Sequence, residues 1–354
     1  MGRLISTTIE KIKEDVYDLT VQDNHNFFIN NILVSNCGET NLSVYGTCCL
    51  GSVNLSNMYD EEKNEVDWRK LAITIRLAIR FLDDVITMNI YPIPETKFCT
   101  EQSRRIGLGT MGLHYLLIKL GYEYGSNKCI EFVERLYTTI RNEAFEASCD
   151  LAEEKGTFIR FDSDRYIENK FIQTLPARIL RKIKKHGIRN AVLLTQPPNG
   201  TISMVCGVSS SIEPIFAPIY LRRYMVNSTK KEELVMDKLF AQYLKGDKSL
   251  KSFKGAHEIT PEEHLAIQAA VQKYTDQAVS KTVNLPANYT GEELSDLLLE
   301  YLPHLKGVTI YRQGSRGEEP LQFIDINKID KEEALRTAEI YTQEIECVGG
   351  SCEL

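Results

Sequence analysis

At 354 residues the chain is long enough for one large domain or two ordinary ones, with a sizeable core. A hydrophobic fraction of 43% beside 26% charged residues is that of an ordinary globular protein, and a net charge of -7 argues against a nucleic-acid partner held on a broad basic face. Any phosphate-bearing ligand is therefore expected to sit locally, in a loop.

The N-terminus, Met1-Gly2-Arg3-Leu4-Ile5-Ser6, lacks the apolar run of a signal peptide, and no stretch of about eighteen apolar residues occurs. This leads to the expectation of a cytoplasmic chain with no membrane partner. In that compartment the nine cysteines do not read as a disulfide framework. Cys99, Cys129, Cys149 and Cys206 stand alone in apolar-periodic segments and are expected in the core, whereas Cys37, Cys48 and Cys49 near the front and Cys347 and Cys352 at the end form two groups. No zinc-type pair with a matching second pair is present, so no metal site is expected, and redox or radical chemistry is the better reading.

In chain order, Val16-Tyr17-Asp18-Leu19-Thr20-Val21 reads as a strand, Gln22 to Asn26 as a polar turn, and Phe27 to Val34 as a second strand. The run ends in Ser35-Asn36-Cys37-Gly38-Glu39. Taken by itself it is a β-hairpin at the edge of the main domain. With the Tyr-Asp-Leu-Thr-Val strand, the Asp-Asn-His-Asn-Phe-Phe turn and Ile-Leu-Val-x-Asn before Cys, the segment 1–36 also resembles the C-terminal piece of a split intein. The Asn36 side-chain amide can attack its own carbonyl and release the chain at Asn36-Cys37, and a Cys37 thiolate can first capture an upstream chain. The resemblance implies acid-base help from His25 and Asp18. Ser35 stands where that family usually carries His, which implies slower splicing or a larger share of proton transfer for His25. A piece this short does not easily form its own core, and the start Met leads us to expect the other intein half on a separate polypeptide.

From Cys37 onward the pattern changes. Trp68 to Asp84 has apolar residues at helical spacing, a second helix is expected from Asn127 to about Glu154 with Gly156 at its end, and Thr260-Pro261-Glu262-Glu263 and Thr290-Gly291-Glu292-Glu293 carry the Thr-x-x-Glu capping box. Short apolar strands are expected at 191–195 and 307–311. Helices interleaved with such strands predict an α/β domain with buried parallel strands.

Gly107-Leu108-Gly109-Thr110-Met111-Gly112 satisfies the GxGxxG pattern of dinucleotide binding, but charged residues precede it and no acidic residue ends a second strand about twenty residues on. Close packing of a helix against backbone is the preferred account, with a nicotinamide oxidoreductase as the weaker one. Gln196-Pro197-Pro198-Asn199-Gly200-Thr201-Ile202-Ser203 follows a strand, and its small residues leave backbone N–H groups free for an anion, although a plain turn explains it equally well. Gly207-Val208-Ser209-Ser210 adds a second small-residue loop near the same strand end.

Cys37-Gly38-Glu39, Tyr45-Gly46-Thr47-Cys48, Arg105 to Gly112, Pro198 to Ser203, Gly207 to Ser210, Lys281-Thr282-Val283-Asn284-Leu285-Pro286 and Gly307 to Arg312 occur in the order found in the large catalytic chain of ribonucleotide reductases. Residues 37–354 resemble the C-terminal half of that chain nearly throughout. The resemblance implies the C-terminal half of the family's ten-stranded α/β barrel over 37–335 and a flexible redox-active tail over 336–354. It makes Cys37 the thiyl radical that takes a hydrogen atom from the ribose, Glu39 the base for the 3′ hydroxyl, and Cys48 one of the two thiols that reduce the 2′ carbon, its partner being expected upstream. Pro198, Asn199, Gly200, Thr201, Ile202 and Ser203 would hold the substrate diphosphate, with Asn199 in place of the more usual Thr. Cys347 and Cys352 would exchange with the active-site disulfide and pass electrons from a thioredoxin-like reductant.

A single Tyr311, where metal-subunit members carry two adjacent tyrosines, resembles the adenosylcobalamin-dependent class. Further implied partners are the ribonucleotide substrate, an upstream reductase half with the N-terminal intein segment, ATP or dNTP effectors bound mainly by that half, and a second copy in a homodimer once complete. The competing expectation is an autoprocessing or structural fragment without turnover.

Overall fold

The computed structural model describes residues 26–29, 32–35, 40, 42–226, 229–246, 249, 251–315, 321–324 and 336. The elements in chain order are β1 (Asn26–Ile29), β2 (Ile32–Ser35), β3 (Cys49–Asn54), β4 (Tyr59–Asp60), β5 (Glu65–Val66), α1 (Trp68–Met88), α2 (Pro94–Ser103), β6 (Ile106–Met111), α3 (Leu113–Leu120), α4 (Asn127–Lys155), α5 (Ser163–Ile167), α6 (Lys170–Gln173), α7 (Ala177–His186) and α8 (Gly200–Cys206). Then follow β7 (Ile219–Val226), β8 (Thr229–Met236), α9 (Lys238–Lys245), α10 (Pro261–Gln272), β9 (Thr282–Leu285), α11 (Gly291–Tyr301), β10 (Thr309–Arg312) and β11 (Leu321–Phe323).

The helix limits follow from their caps. Asp67 accepts from the Lys70 amide at the start of α1, Ser126 from Cys129 at the start of α4, and Gly156 closes α4 with φ near 81°. Both Thr-x-x-Glu capping boxes form, at Thr260/Glu263 and Thr290/Glu293.

Parallel pairing runs through the described sheet in chain order. β3 lies parallel to β6, with Cys49 opposite Ile106 and Asn54 opposite Met111. On the other side of β6, the Leu108 amide donates to Leu193 O at 2.8 Å and the Thr195 amide to Leu108 O at 3.1 Å. The same 193–196 stretch then meets 277–280, the Gln196 amide donating to Ala278 O at 3.2 Å and the Ser280 amide to Gln196 O at 3.0 Å. β9 continues that segment and pairs in parallel with β10, Thr282 opposite Thr309. Parallel neighbours need crossovers, and helices fill them. The fold is thus α/β, as expected, although its regular sheets are small and 193–196 joins through isolated bridges rather than the strand expected at 191–195.

Every residue of β6 is buried, as a strand covered on both faces requires. Leu71, Ile75, Ile79, Leu82 and Ile86 line one face of α1 and join Val133, Leu136, Ile140 and Phe145 of α4 in the main core. Burial of such side chains contributes roughly 1.5–3 kcal/mol each. A polar knot closes this core from beneath. Asp83, fully buried on α1, accepts from Arg104 Nε at 2.8 Å, Asn190 Nδ2 at 3.0 Å and Arg189 Nε at 3.3 Å. Arg104 ends α2 in the left-handed conformation (φ 44°), which turns the chain into β6.

Two expectations are corrected here. Phe27 to Val34 is not one strand, since β1 pairs antiparallel with β2, with Phe27 opposite Val34. Cys129 and Cys149 are buried as expected, but Cys99 is only half-buried and Cys206 is exposed at the end of a one-sided surface helix. The strand expected at 16–21 lies outside the described residues. Among the described residues, no helix is long and apolar enough to cross a membrane, and no cluster of His, Cys, Asp and Glu is arranged for a metal ion.

Replacing Asp83 by Ala leaves Arg104 buried without its carboxylate and is expected to cost about 3–5 kcal/mol, seen as a lower midpoint of denaturant unfolding. An unchanged midpoint would show that the knot is dispensable.

Candidate active site

Alternation along β3 sorts its side chains between two faces. Cys49 and Val53 join the core beneath α1, and a Cβ built on Gly51 would lie 3.3 Å from Leu82 of that helix. Cys48, Leu50 and Ser52 therefore point to the opposite face. There β6 contributes glycines instead of side chains. A Cβ on Gly107 would come within 2.5 Å of Leu50 Cδ2, 2.7 Å of Thr195 Cγ2 and 3.2 Å of Cys48 Sγ, and one on Gly109 within 2.6 Å of Pro197 Cδ and 2.8 Å of Thr195 O. The pattern Gly107 to Gly112 is thus a close-packed strand running into α3. The space a pyrophosphate would need beside its first two glycines is filled by Leu50, Thr195 and Pro197, which removes the nicotinamide account. The packing expected of a helix against backbone is in fact strand and loop against strand.

The Cys48 thiol is half-buried, and burial pushes it up to about 12; the Thr40 hydroxyl and the Arg105 charge act in the opposite direction and only reduce the shift. At neutral pH it is a protonated thiol, a form that keeps a hydrogen to give. Cys49 next to it faces the other way, so the two do not form a disulfide. Behind them, Asp276 accepts the Leu193 and Leu194 amides at 2.8 and 2.7 Å and is itself pushed up to about 6 by burial.

The loop after the 193–196 stretch crosses the ends of β3 and β6. Asn199 sits in the left-handed region (φ 59°, ψ 25°), which Asn tolerates far better than a β-branched residue. Its Oδ1 accepts from Ser52 Oγ at 3.0 Å and its Nδ2 donates to Thr110 O at 3.0 Å. Gln196 Oε1 accepts from both the amide and the hydroxyl of Thr110, at 3.1 and 3.0 Å. Ser203 is buried, its hydroxyl donating to Gly200 O at 2.9 Å and lying 2.7 Å from Ser210 Oγ, while the Val208 amide donates to Ser203 O. The two small-residue loops are therefore one unit. Pro198, Gly200, Thr201 and Ile202 remain exposed, and a Cβ on Gly200 would meet nothing within 4 Å.

The structure thus brings Cys48 and Pro198 to Ser203 to one face of the sheet. It also changes the role expected of Asn199, whose side-chain amide is engaged within the chain at both ends. Cys37, Glu39, Asn36, His25, Asp18, Cys347 and Cys352 lie outside the described residues. Sequence reasoning missed Ser52 and the link between Gln196 and Thr110. Ser52 carries a signal in its place four residues after Cys48, which on a strand puts both on one face.

The sequence matches the description "Ribonucleotide reductase, barrel domain" over residues 16–311, a span that begins inside segment 1–36 and so does not mark a boundary at Asn36-Cys37. The chain is 36% identical to a vitamin B12-dependent ribonucleoside-diphosphate reductase of Mycobacterium tuberculosis, across 81% of this chain and 41% of that protein. It is 36% identical to one so named from Thermoplasma acidophilum (79% and 37% covered) and 32% identical to a ribonucleoside-diphosphate reductase subunit alpha of Chlamydia muridarum (84% and 32%). It spans between 32% and 41% of the length of these relatives. With the family match covering most of the chain, it belongs to the ribonucleotide reductase barrel-domain family.

Proposed function

We propose that the chain is the C-terminal half of a ribonucleotide reductase catalytic chain, which converts ribonucleotides to deoxyribonucleotides once joined to an upstream half. The observation that carries this is the parallel series β3, β6, 193–196, 277–285 and β10, with Cys48 and the Pro198–Ser203 loop on one face of it. A series of this kind supplies half of a ten-stranded α/β barrel, and the relatives' names supply the reaction.

On this reading Cys37, as a thiyl radical, removes the hydrogen atom from the ribose 3′ carbon and Glu39 accepts the 3′ hydroxyl proton. Cys48 and a second thiol from the upstream half are oxidised to a disulfide as the 2′ carbon is reduced and its hydroxyl leaves as water. The protonated state of Cys48 suits it to this role. Cys347 and Cys352 then reduce that disulfide by thiol exchange, themselves recharged by a thioredoxin-like reductant. The open faces of Gly200 and Thr201 receive the substrate diphosphate. Effector nucleotides are assigned mainly to the upstream half, and the complete enzyme is read as a homodimer.

The names of two relatives and the single Tyr311 favour adenosylcobalamin as the radical source. Ile202, Met204 and Val205 stand exposed on α8, and apolar side chains of this kind would pack against a large organic cofactor. When bound, that group would supply the radical that oxidises Cys37. Segment 1–36 is read as a splicing element, with Asn36 cyclising and Cys37 as the acceptor nucleophile, aided by His25 and Asp18; its support is the motif and the hairpin that ends at Ser35.

The deciding experiment combines the chain with an upstream half and measures deoxyribonucleotide formation with and without adenosylcobalamin. Turnover that requires the cofactor and is abolished by Cys37→Ser is expected; ligation without turnover would leave only a structural or autoprocessing fragment. Gly200→Ala is expected to raise KM for the ribonucleotide several-fold without lowering the melting temperature, since the added methyl meets no protein atom. An unchanged KM would move the diphosphate elsewhere. Asn36→Ala is expected to stop release at Asn36-Cys37, followed by intact mass; normal release in that variant rules out splicing there.

A further inference from the structure

Asn199 is where the Pro198–Ser203 loop is fastened to the sheet. Its amide spans two adjacent parallel strands, taking a hydrogen bond from Ser52 on β3 and giving one to the Thr110 carbonyl on β6. The strands are in register there, with Ser52 opposite Gly109 and Val53 opposite Thr110. The bare Cα of Gly109 lets Pro197 and Ser52 close in from either side, since a Cβ would stand 2.6 Å from Pro197 Cδ and 3.3 Å from Ser52 Oγ. A threonine cannot repeat this arrangement. It lacks the amide that donates to Thr110, and a β-branched residue at φ 59° is strained.

Strand propensity alone would favour Val or Ile over Ser at position 52. Its hydroxyl is chosen by the acceptor across from it. Only the base of the loop is held in this way, whereas Gly200, Thr201 and Ile202 stay exposed. The fastening therefore fixes where the loop's open face stands relative to Cys48, four residues before Ser52 and just ahead of the same strand.

We propose that Ser52 is a positioning residue for the reductase, acting through Asn199 to hold the loop that takes the diphosphate of a ribonucleotide in place beside Cys48. This rests on the reductase reading above. With its hydroxyl given to Asn199, Ser52 acts through the loop, so its loss weakens binding more than chemistry.

The test uses the complete enzyme, assembled from this chain and its upstream half, with a ribonucleoside diphosphate as substrate. Ser52→Ala is expected to raise KM about tenfold, the equivalent of one hydrogen bond at about 1.4 kcal/mol, with kcat within about twofold. Ser52→Thr, which keeps the hydroxyl on a strand, is expected to stay near wild type. Asn199→Ala and the Ser52→Ala/Asn199→Ala pair are expected to share one elevated KM, because both break the same link. An unchanged KM in Ser52→Ala, or effects that multiply in the double variant, overturns the positioning role while leaving the reductase reading intact. A wild-type enzyme that neither turns over nor binds the diphosphate overturns both. Amide exchange checks the cause: faster exchange at Ser203 and Val208 in Ser52→Ala supports the clamp, and unchanged exchange there overturns it.

Discussion

The structure depends on how closely the chain can approach β6. With hydrogen atoms in place of side chains at Gly107 and Gly109, this buried strand admits Leu50 and Cys48 from one neighbour and Thr195 and Pro197 from the other. A single methyl at Gly109 would press on the Thr195 carbonyl at 2.8 Å, which is backbone and cannot rotate away. Overpacking of this kind typically costs 1–3 kcal/mol. Here it would also lift the loop that Asn199 fastens and shift the wall against which the Cys48 thiol rests, so the site inherits its geometry from two missing side chains.

Two polar devices hold the surrounding layers in place. Asp83 gathers Arg104, Arg189 and Asn190 beneath the core and so fixes where β6 begins. On the far side, fully buried Lys281 donates to Glu213 at 2.6 Å and lies over the Tyr124 ring, while the other Glu213 oxygen accepts the Thr282 amide, tying the second small-residue loop to β9. Breaking either pair strands a charge in a low-dielectric interior, which is far more costly than never burying the pair. These pairs give the loops a single register, which packing by short apolar side chains alone would leave less defined.

Much of the fold was legible because it is written locally. The capping boxes at Thr260 and Thr290, the Ser126 and Gly156 ends of α4, and the apolar stripe of α1 are set by residues within a turn or two of one another. The 193–196 stretch was harder, since its pairing is with strands far away in sequence and only isolated bridges form. The glycine pattern of β6 was legible as close packing but not as strand against strand, because what fills the space comes from Leu50 and Thr195. The site was legible only as motifs. Cys48 and the Pro198–Ser203 loop stood out, yet the link between them passes through Ser52, which is 147 positions from Asn199 and belongs to no motif.

The order of the parallel strands has a consequence for how such a protein can be divided between genes. Each described parallel strand pairs with the next one along the chain, and all of these pairings fall between Cys49 and Arg312. A backbone cut ahead of Cys49 severs none of them. Rejoining two such pieces then requires closure of a connection, whose entropy changes only slowly with its length, and pairing at the outer edges of the series, while the ladders within it stay intact. A break ahead of Cys49 leaves every described ladder intact, whereas one placed between β3 and β6 would separate Cys48 from the loop that lies on the same face of the sheet.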